Sequence, residues 1–220
     1  MKPAAAVRPP RTSRGARTAR ALRLGMLGGT FDPPHVGHLA IAEWAREQLE
    51  LDRVIFVPSG TPPHKAGRVL SQAAARLAMI RLAARGNPAF EVSPIEIRRR
   101  GPSFTIDTVR ALRLEHPASR LFLILGADSL EEFHTWRDPD AIAAEATLAV
   151  ARRPDAGRPP QHQVRSRRFV RSVVWLDNPG LDLSSSAIRA RARRGRSLRY
   201  LVPETVTRYI TRRRLYRGRP

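Results

Sequence analysis

Cysteine is absent from the whole chain. Disulfides and thiolate zinc sites are therefore excluded, and a reducing cytoplasm is permitted. No apolar run reaches the roughly 18 residues that a membrane-spanning helix needs, so no segment is expected to cross a bilayer. Acidic residues are scarce, 19 against 40 basic ones, and none falls within residues 1–21. The P-loop pattern Gly-x-x-x-x-Gly-Lys-Ser/Thr is missing, and the first glycine turn does not carry the dinucleotide fingerprint Gly-x-Gly-x-x-Gly. No internal repeat is evident.

What is present bounds the answer further. A length of 220 residues with 42% hydrophobic content supports one domain, or one with a small appendage. The net charge of +21 suits polyanions: nucleotides, nucleic acid or an anionic membrane surface. An arginine- and alanine-heavy composition is equally what a GC-rich genome produces, so charge alone assigns no function. Residues 1–21 hold Lys2, Arg8, Arg11, Arg14, Arg17 and Arg20 and almost no large apolar residue. This arm cannot bury a core and is expected to be disordered. Its composition resembles an organelle transit peptide without the apolar stretch of a secretory signal. We read it as a dispensable basic extension.

Apolar runs alternate with helical patterns along the rest of the chain. Strands are expected at Leu22–Leu27, Val54–Val57, within Phe90–Ile97, at Leu121–Leu125, Thr147–Ala151 and Val173–Leu176. Helices are expected at Val36–Leu49, from a Ser71 cap to Arg85, at Thr105–Leu114, Asp138–Ala144, from Ser185 or Ser186 to Arg194, and at Pro203–Arg213. Leu121–Leu125 is wholly apolar, as a strand covered on both faces must be. Residues 152–168, rich in Pro, Gly and Arg, read as a loop. Such alternation implies an α/β fold with a doubly wound parallel sheet and right-handed crossovers. Ligands bind beyond the carboxyl ends of such strands. Gly28–His38, Pro58–Lys65, Gly126–Asp128 and Asn178–Ser186 all follow expected strands, so four candidate motifs fall on one rim.

The first of these is the richest. Gly28 and Gly29 let the backbone approach a ligand, and a helix mouth follows, with unsatisfied N–H groups and the positive end of the dipole. His35 and His38 lie on one face of its first turn. They can hold a metal, for which only Asp32 is near as a third ligand, or cap the helix, or donate to phosphate. Phosphate donation suits them best, because a histidine donates to an anion in either protonation state. Gly37 between them leaves room where a side chain would obstruct a ligand.

Gly28-Gly29-Thr30-Phe31-Asp32-Pro33-Pro34-His35-Val36-Gly37-His38 resembles the signature of nucleotidyltransferases with the His-x-Gly-His motif. Pro62-Pro63-His64-Lys65, Ser103-Phe104-Thr105-Ile106-Asp107-Thr108, Gly126-Ala127-Asp128 followed by Phe133 and Trp136, and Leu183-Ser184-Ser185-Ser186-Ala187-Ile188-Arg189 are similar, in this order, to blocks of the bacterial nicotinate-nucleotide adenylyltransferases. The resemblance covers about residues 22–214. His-x-Gly-His alone is shared by pantetheine-phosphate, nicotinamide-nucleotide and cytidylyl transferases and class I tRNA synthetases. The five blocks together are much more specific. Ser186 replaces the usual threonine and keeps its hydroxyl; Phe104 replaces a common tyrosine and loses one.

The resemblance implies a Rossmann-like domain over residues 22–183 and a C-terminal helical segment, 184–220, that completes an ATP site. It implies transfer of the adenylyl group of ATP to nicotinate mononucleotide, giving deamido-NAD and pyrophosphate in NAD biosynthesis, in the cytoplasm. His35, His38, Lys65 and Arg189 would be catalytic. Gly28, Gly29, Thr30, Phe31, His35, His38, Asp128, Ser185, Ser186 and Arg189 would bind ATP. Gly29, Lys65, Thr105 and Trp136 would bind nicotinate mononucleotide, with backbone N–H groups near Thr105 and Trp136 favouring the acid. The side chains alone leave acid versus amide open. Mg²⁺ would be held by ATP phosphates and water rather than a carboxylate cage. Nicotinamide mononucleotide or phosphopantetheine remain alternative acceptors, and a homo-oligomer stays open. The alternative from another class is a non-catalytic basic nucleic-acid-binding protein, motivated by the arm and by Arg212-Arg213-Arg214. Against it, no RNA-binding aromatic signature or helix-turn-helix pattern is present, which leaves non-specific contact through the arm.

Overall fold

The structure is a computed structural model that describes residues 20–60, 70–152 and 173–216. Its centre is a six-stranded parallel sheet of order β3-β2-β1-β4-β5-β6. The strands are β1 (Arg23–Gly29), β2 (Arg53–Pro58), β3 (Phe90–Val92), β4 (Arg120–Gly126), β5 (Thr147–Ala151) and β6 (Val173–Leu176). The helices are α1 (Val36–Gln48), α2 (Ala73–Ala84), α3 (Ile95–Arg98), α4 (Thr105–Glu115), α5 (Ala127–Glu131), α6 (Pro139–Glu145), α7 (Ser185–Arg193) and α8 (Glu204–Arg212). This is the doubly wound order in which the chain leaves β1 on one side and β4 on the other.

The strand period of two sorts side chains onto two buried faces. Leu121, Leu123 and Leu125 of β4 join Leu24 and Met26 of β1 and Leu148 and Val150 of β5 in one core, with Ile106, Val109 and Leu112 of α4 and Ile142 of α6. Phe122 and Ile124 face the opposite core with Leu27, Ala149 and Ala151, beneath Ala42 and Ala45 of α1 and Ile80 and Ala84 of α2. The apolar run 121–125 is thus buried throughout. A third cluster joins Met79 of α2 to Ile188 of α7, Leu198, Val202, and Val206 and Ile210 of α8. It anchors the C-terminal helices beside the sheet.

Several boundaries differ from expectation for local reasons. Within Phe90–Ile97 only Phe90–Val92 is strand; Pro94 then precedes the short helix α3. Ser71 does not cap α2: the cap position is Gln72, and the Ser71 N–H donates to the Asp32 carboxylate at 3.1 Å. Ser184, not Ser185 or Ser186, caps α7, its hydroxyl accepting from the Ala187 N–H at 3.2 Å. Pro203 lies just before α8 rather than in its first turn. Residues 1–19 of the basic arm lie outside the described residues, as do 153–172, most of the expected loop. Arg20, counted with the arm, pairs with Asp52 at 2.8 Å.

One close approach constrains the rim of the sheet. A Cβ on Gly60 would stand 2.3 Å from the Glu96 carbonyl oxygen and 3.1 Å from the Ser103 hydroxyl. The backbone after β2 therefore packs directly on α3, where only glycine fits. Gly60→Ala should destabilise the fold by about 1–3 kcal/mol, whereas Gly86→Ala, whose Cβ would meet nothing within 4 Å, should be near neutral. Thermal unfolding of the two variants checks this.

Candidate active site

The crevice opens where β1 and β4, neighbours in the sheet, send their connections to opposite sides. It has a volume of about 1020 Å³. Gly28 and Gly29 of β1, Thr30 and His35 of the turn that follows, and His38 of α1 line it, with Asp128 of α5, Thr105 of α4, Trp136, and Ser185, Ser186 and Arg189 of α7. Segments scattered across the sequence thus meet at one rim. Two expected site residues stand apart. Lys65 lies outside the described residues. The Phe31 side chain is 1% exposed and sits in the core, its ring edge-on to His38 at 5.1 Å and to Phe56 at 5.8 Å. An aromatic ring is more stable there than in a polar crevice, so Phe31 supports His38 from beneath.

The two histidines form a unit. Their rings stack at 3.7 Å between centroids with a 30° tilt. The His35 N–H donates to His38 Nδ1 at 3.2 Å. That nitrogen must then be unprotonated, so a neutral His38 carries its proton on Nε2. His35 is 6% exposed, and burial pushes its pKa down to about 4. Its Nδ1 has no hydrogen-bond partner among the described residues. A Cβ on Gly37 would come 3.0 Å from that atom. Gly37 therefore makes room for the His35 ring, a role beyond the expected one of admitting a ligand. The first N–H of α1 is already used, donating from Val36 to the Leu201 carbonyl at 3.0 Å.

Beneath the histidines lies a buried polar knot. Asp32, 1% exposed, accepts the Ser71 N–H at 3.1 Å and the Tyr216 hydroxyl at 2.5 Å. Both carboxylate oxygens are engaged, so Asp32 is not placed as a third metal ligand beside the histidines. Burial, with the adjacent Asp32 carboxylate, drives the Tyr216 phenol far above its ordinary pKa, so it remains a donor. Arg76 of α2, 2% exposed, donates to the carbonyls of Thr30, Ser59, Gly60 and Ser71 at 2.7–3.2 Å. Burial lowers its pKa, while the charge of Asp32 acts the other way. The Arg189 guanidinium donates to the Asp32 carbonyl at 2.8 Å and to the Ser186 hydroxyl at 3.1 Å. Ser185 donates to the Pro33 carbonyl at 2.8 Å. At the start of α7, backbone N–H groups rather than the Ser185 hydroxyl proton are thus available to an anion.

The far wall is apolar and acidic. Trp136 packs on Phe133 at 5.3 Å and, with Phe104, leans on the core while also lining the crevice. Glu96, 8% exposed, accepts the Thr108 hydroxyl at 2.9 Å, and burial pushes its carboxyl above the ordinary range. Arg152 and Asn178 lace the ends of β5 and β6: the Arg152 N–H donates to Asn178 Oδ1 at 2.8 Å, and Asn178 returns a bond to the Arg152 carbonyl at 3.2 Å. Sequence reading missed Arg76, Tyr216, Glu96 and Arg152, and placed Asn178 on the rim without a role. None sits in a short motif with its own chemistry; only their partners reveal them.

This fold and cleft define a nucleotide-handling transferase of the cytidylyltransferase-like class, and a model of that family matches residues 26–191. Among curated proteins, those named as probable nicotinate-nucleotide adenylyltransferases from Salinibacter ruber and Geobacter sulfurreducens are each 44% identical, covering 89% of this chain and 98% of the relative. The chain belongs to the nicotinate-nucleotide adenylyltransferase family. At the level of fold it is similar to a Plasmodium falciparum nicotinic acid mononucleotide adenylyltransferase complexed with NaAD, with a TM-score of 0.73 at 14% identity over 89% of this chain and 97% of that one.

Two outcomes follow from the buried groups. Between pH 6.5 and about 4 the unfolded chain protonates His35 and the folded protein does not, so stability should fall as pH drops through that window. His35→Gln should flatten this part of a melting-temperature profile against pH. Tyr216→Phe should cost about 1–3 kcal/mol by leaving a buried carboxylate oxygen unsatisfied, measured by denaturant unfolding.

Proposed function

We infer that this protein transfers the adenylyl group of ATP to nicotinate mononucleotide. The 5′-phosphate oxygen of the acceptor forms a bond to the α-phosphorus, the bond from that phosphorus to the bridging oxygen breaks, and pyrophosphate leaves as deamido-NAD forms. The observation that carries the reading is the meeting of His38 and Arg189, 151 positions apart in the chain (189 − 38), in one crevice at the sheet's switch point.

The chemistry asks little covalent work of the protein. A phosphate is already an anionic nucleophile, so no general base or enzyme-bound intermediate is required. The two anions must be aligned and their charge compensated as it shifts onto pyrophosphate. We assign His38 Nε2–H to the reacting α-phosphate, His35 to the same phosphates through its stacked neutral ring, and Arg189 with the first N–H groups of α7 to the β and γ phosphates. Gly28, Gly29 and Thr30 lie at the carboxyl end of β1 as backbone contacts, and Asp128 faces the nucleotide from α5. Lys65 joins the phosphates as a point charge. Thr105 and Trp136 receive the pyridine ring. Among the described residues no group of three or more His, Cys, Asp or Glu side chains surrounds a metal-sized site. We therefore assign the divalent cation, Mg²⁺, to ATP phosphate oxygens and water, where it would neutralise charge on the departing pyrophosphate. The described residues contain no helix long and apolar enough to cross a membrane; on the family resemblance, not on that absence, we place the reaction in the cytoplasm.

Pyrophosphate release with ATP, Mg²⁺ and each acceptor tests the reading: nicotinate mononucleotide should outpace both nicotinamide mononucleotide and phosphopantetheine. His38→Ala should lower kcat by about a hundred- to a thousandfold, and Lys65→Ala by less. Near-full kcat in His38→Ala at saturating ATP would remove that residue from the reacting phosphate.

A further inference from the structure

On the adenylyl-transfer reading, the acceptor carries a carboxylate on its ring, yet Glu96, Asp128 and Glu132 line the crevice it enters. Like charges there oppose the acid and favour the neutral amide. One backbone donor near the pyridine position is already spent: the Trp136 N–H donates to the Phe133 carbonyl at 3.1 Å. A cation at that end would offset these acids and add to the backbone donors that are left.

Three arginines line the crevice among the described residues: Arg137, Arg152 and Arg189. Arg189 is tied to the Asp32 carbonyl and Ser186 on the α7 side. Arg152 reaches Asp177 at 3.3 Å beyond β6. Arg137 differs from both. It directly follows Trp136, and its guanidinium lies over the Phe104 ring, 4.7 Å from the centroid. Among the described residues it forms no salt bridge. Phe104 in turn directly precedes Thr105, the first residue of α4. The stacked cation therefore joins the two segments that flank the pyridine position. Stacking uses the face of a guanidinium and leaves its in-plane N–H groups available, the geometry that a carboxylate matches with two parallel hydrogen bonds.

We propose that Arg137 is the side chain that selects the acid acceptor, its guanidinium receiving the ring carboxylate of nicotinate mononucleotide. A carboxamide brings no charge and turns an N–H₂ group toward a fork that only donates, so it is disfavoured at the same position. Phe104 serves this arrangement as a flat apolar platform. The hydroxyl that a tyrosine would add there is not needed to hold the cation.

The test compares kcat/KM for nicotinate and nicotinamide mononucleotides in the wild type, Arg137→Gln and Arg137→Lys at fixed ATP. In Arg137→Gln the acid-to-amide ratio should fall about tenfold, through a higher KM for the acid and little change in kcat at saturation. Arg137→Lys keeps the charge but loses the stacked fork, so it should retain part of the ratio. Added salt should erode the wild-type preference and leave the Gln variant's almost unaffected, because the side chain is exposed and its charge is screened. An unchanged ratio in Arg137→Gln, or an equal loss with both acceptors, would overturn the proposal while adenylyl transfer stood. A wild type that forms no deamido-NAD from ATP and nicotinate mononucleotide would instead sink the reading on which it rests.

Discussion

A buried carboxylate and a buried guanidinium, Asp32 and Arg76, set the shape of this molecule's working edge. Asp32 gathers the start of α2 through Ser71 and the C-terminal tail through Tyr216. Arg76 gathers the ends of β1 and β2 through the carbonyls of Thr30, Ser59 and Gly60. Each charge is costly out of water unless its hydrogen-bonding capacity is filled. Here several segments fill it, and each must occupy one place to do so. The positions of His35, His38 and Arg189 follow, since the loop carrying Asp32 leads into the histidines and its carbonyl holds Arg189.

The site above this knot combines paired histidines with a fixed cation. His35 stays uncharged because it is buried, and His38 has its tautomer set by the backbone of its neighbour. Rings held in a stack present N–H groups without reorganising as charge moves, the property that electrostatic preorganisation requires. Arg189 brings a cation from α7, held against the loop that leads into the histidines. Adenylyl transfer needs two anions brought in line and compensated, so a rigid rim of donors is sufficient machinery, and no nucleophilic side chain is called for.

Much of the frame could be read in the chain. The wholly apolar run 121–125, and 148–151 after Thr147, are strands because apolar content, length and two-sided burial agree there. The rim motifs converge because ligand loops in this topology share one end of the sheet. Reading failed where several local choices are nearly equal. Among consecutive serines 184–186, which one caps α7 depends on where the helix docks. Ser71 is a good cap by type, but its backbone N–H is claimed by Asp32 from 39 residues away. Phe31 belongs to a nucleotide-binding block and yet lies in the core, since its neighbours leave a hydrophobic recess beneath His38.

Local chemistry was therefore enough for the order of the strands and the longer helices, though not the short α3 and α5, and for the glycine turn with its paired histidines and the family to which these belong, because periodicity and short-range spacing depend on neighbours along the chain. The pairing of Asp32 with Tyr216, Arg76's grip on several carbonyls, the neutral state of His35 and the cation laid over Phe104 depend on contacts between distant residues and on exclusion of water. Both arise only when the chain has closed around its sheet, and no run of letters carries them beforehand.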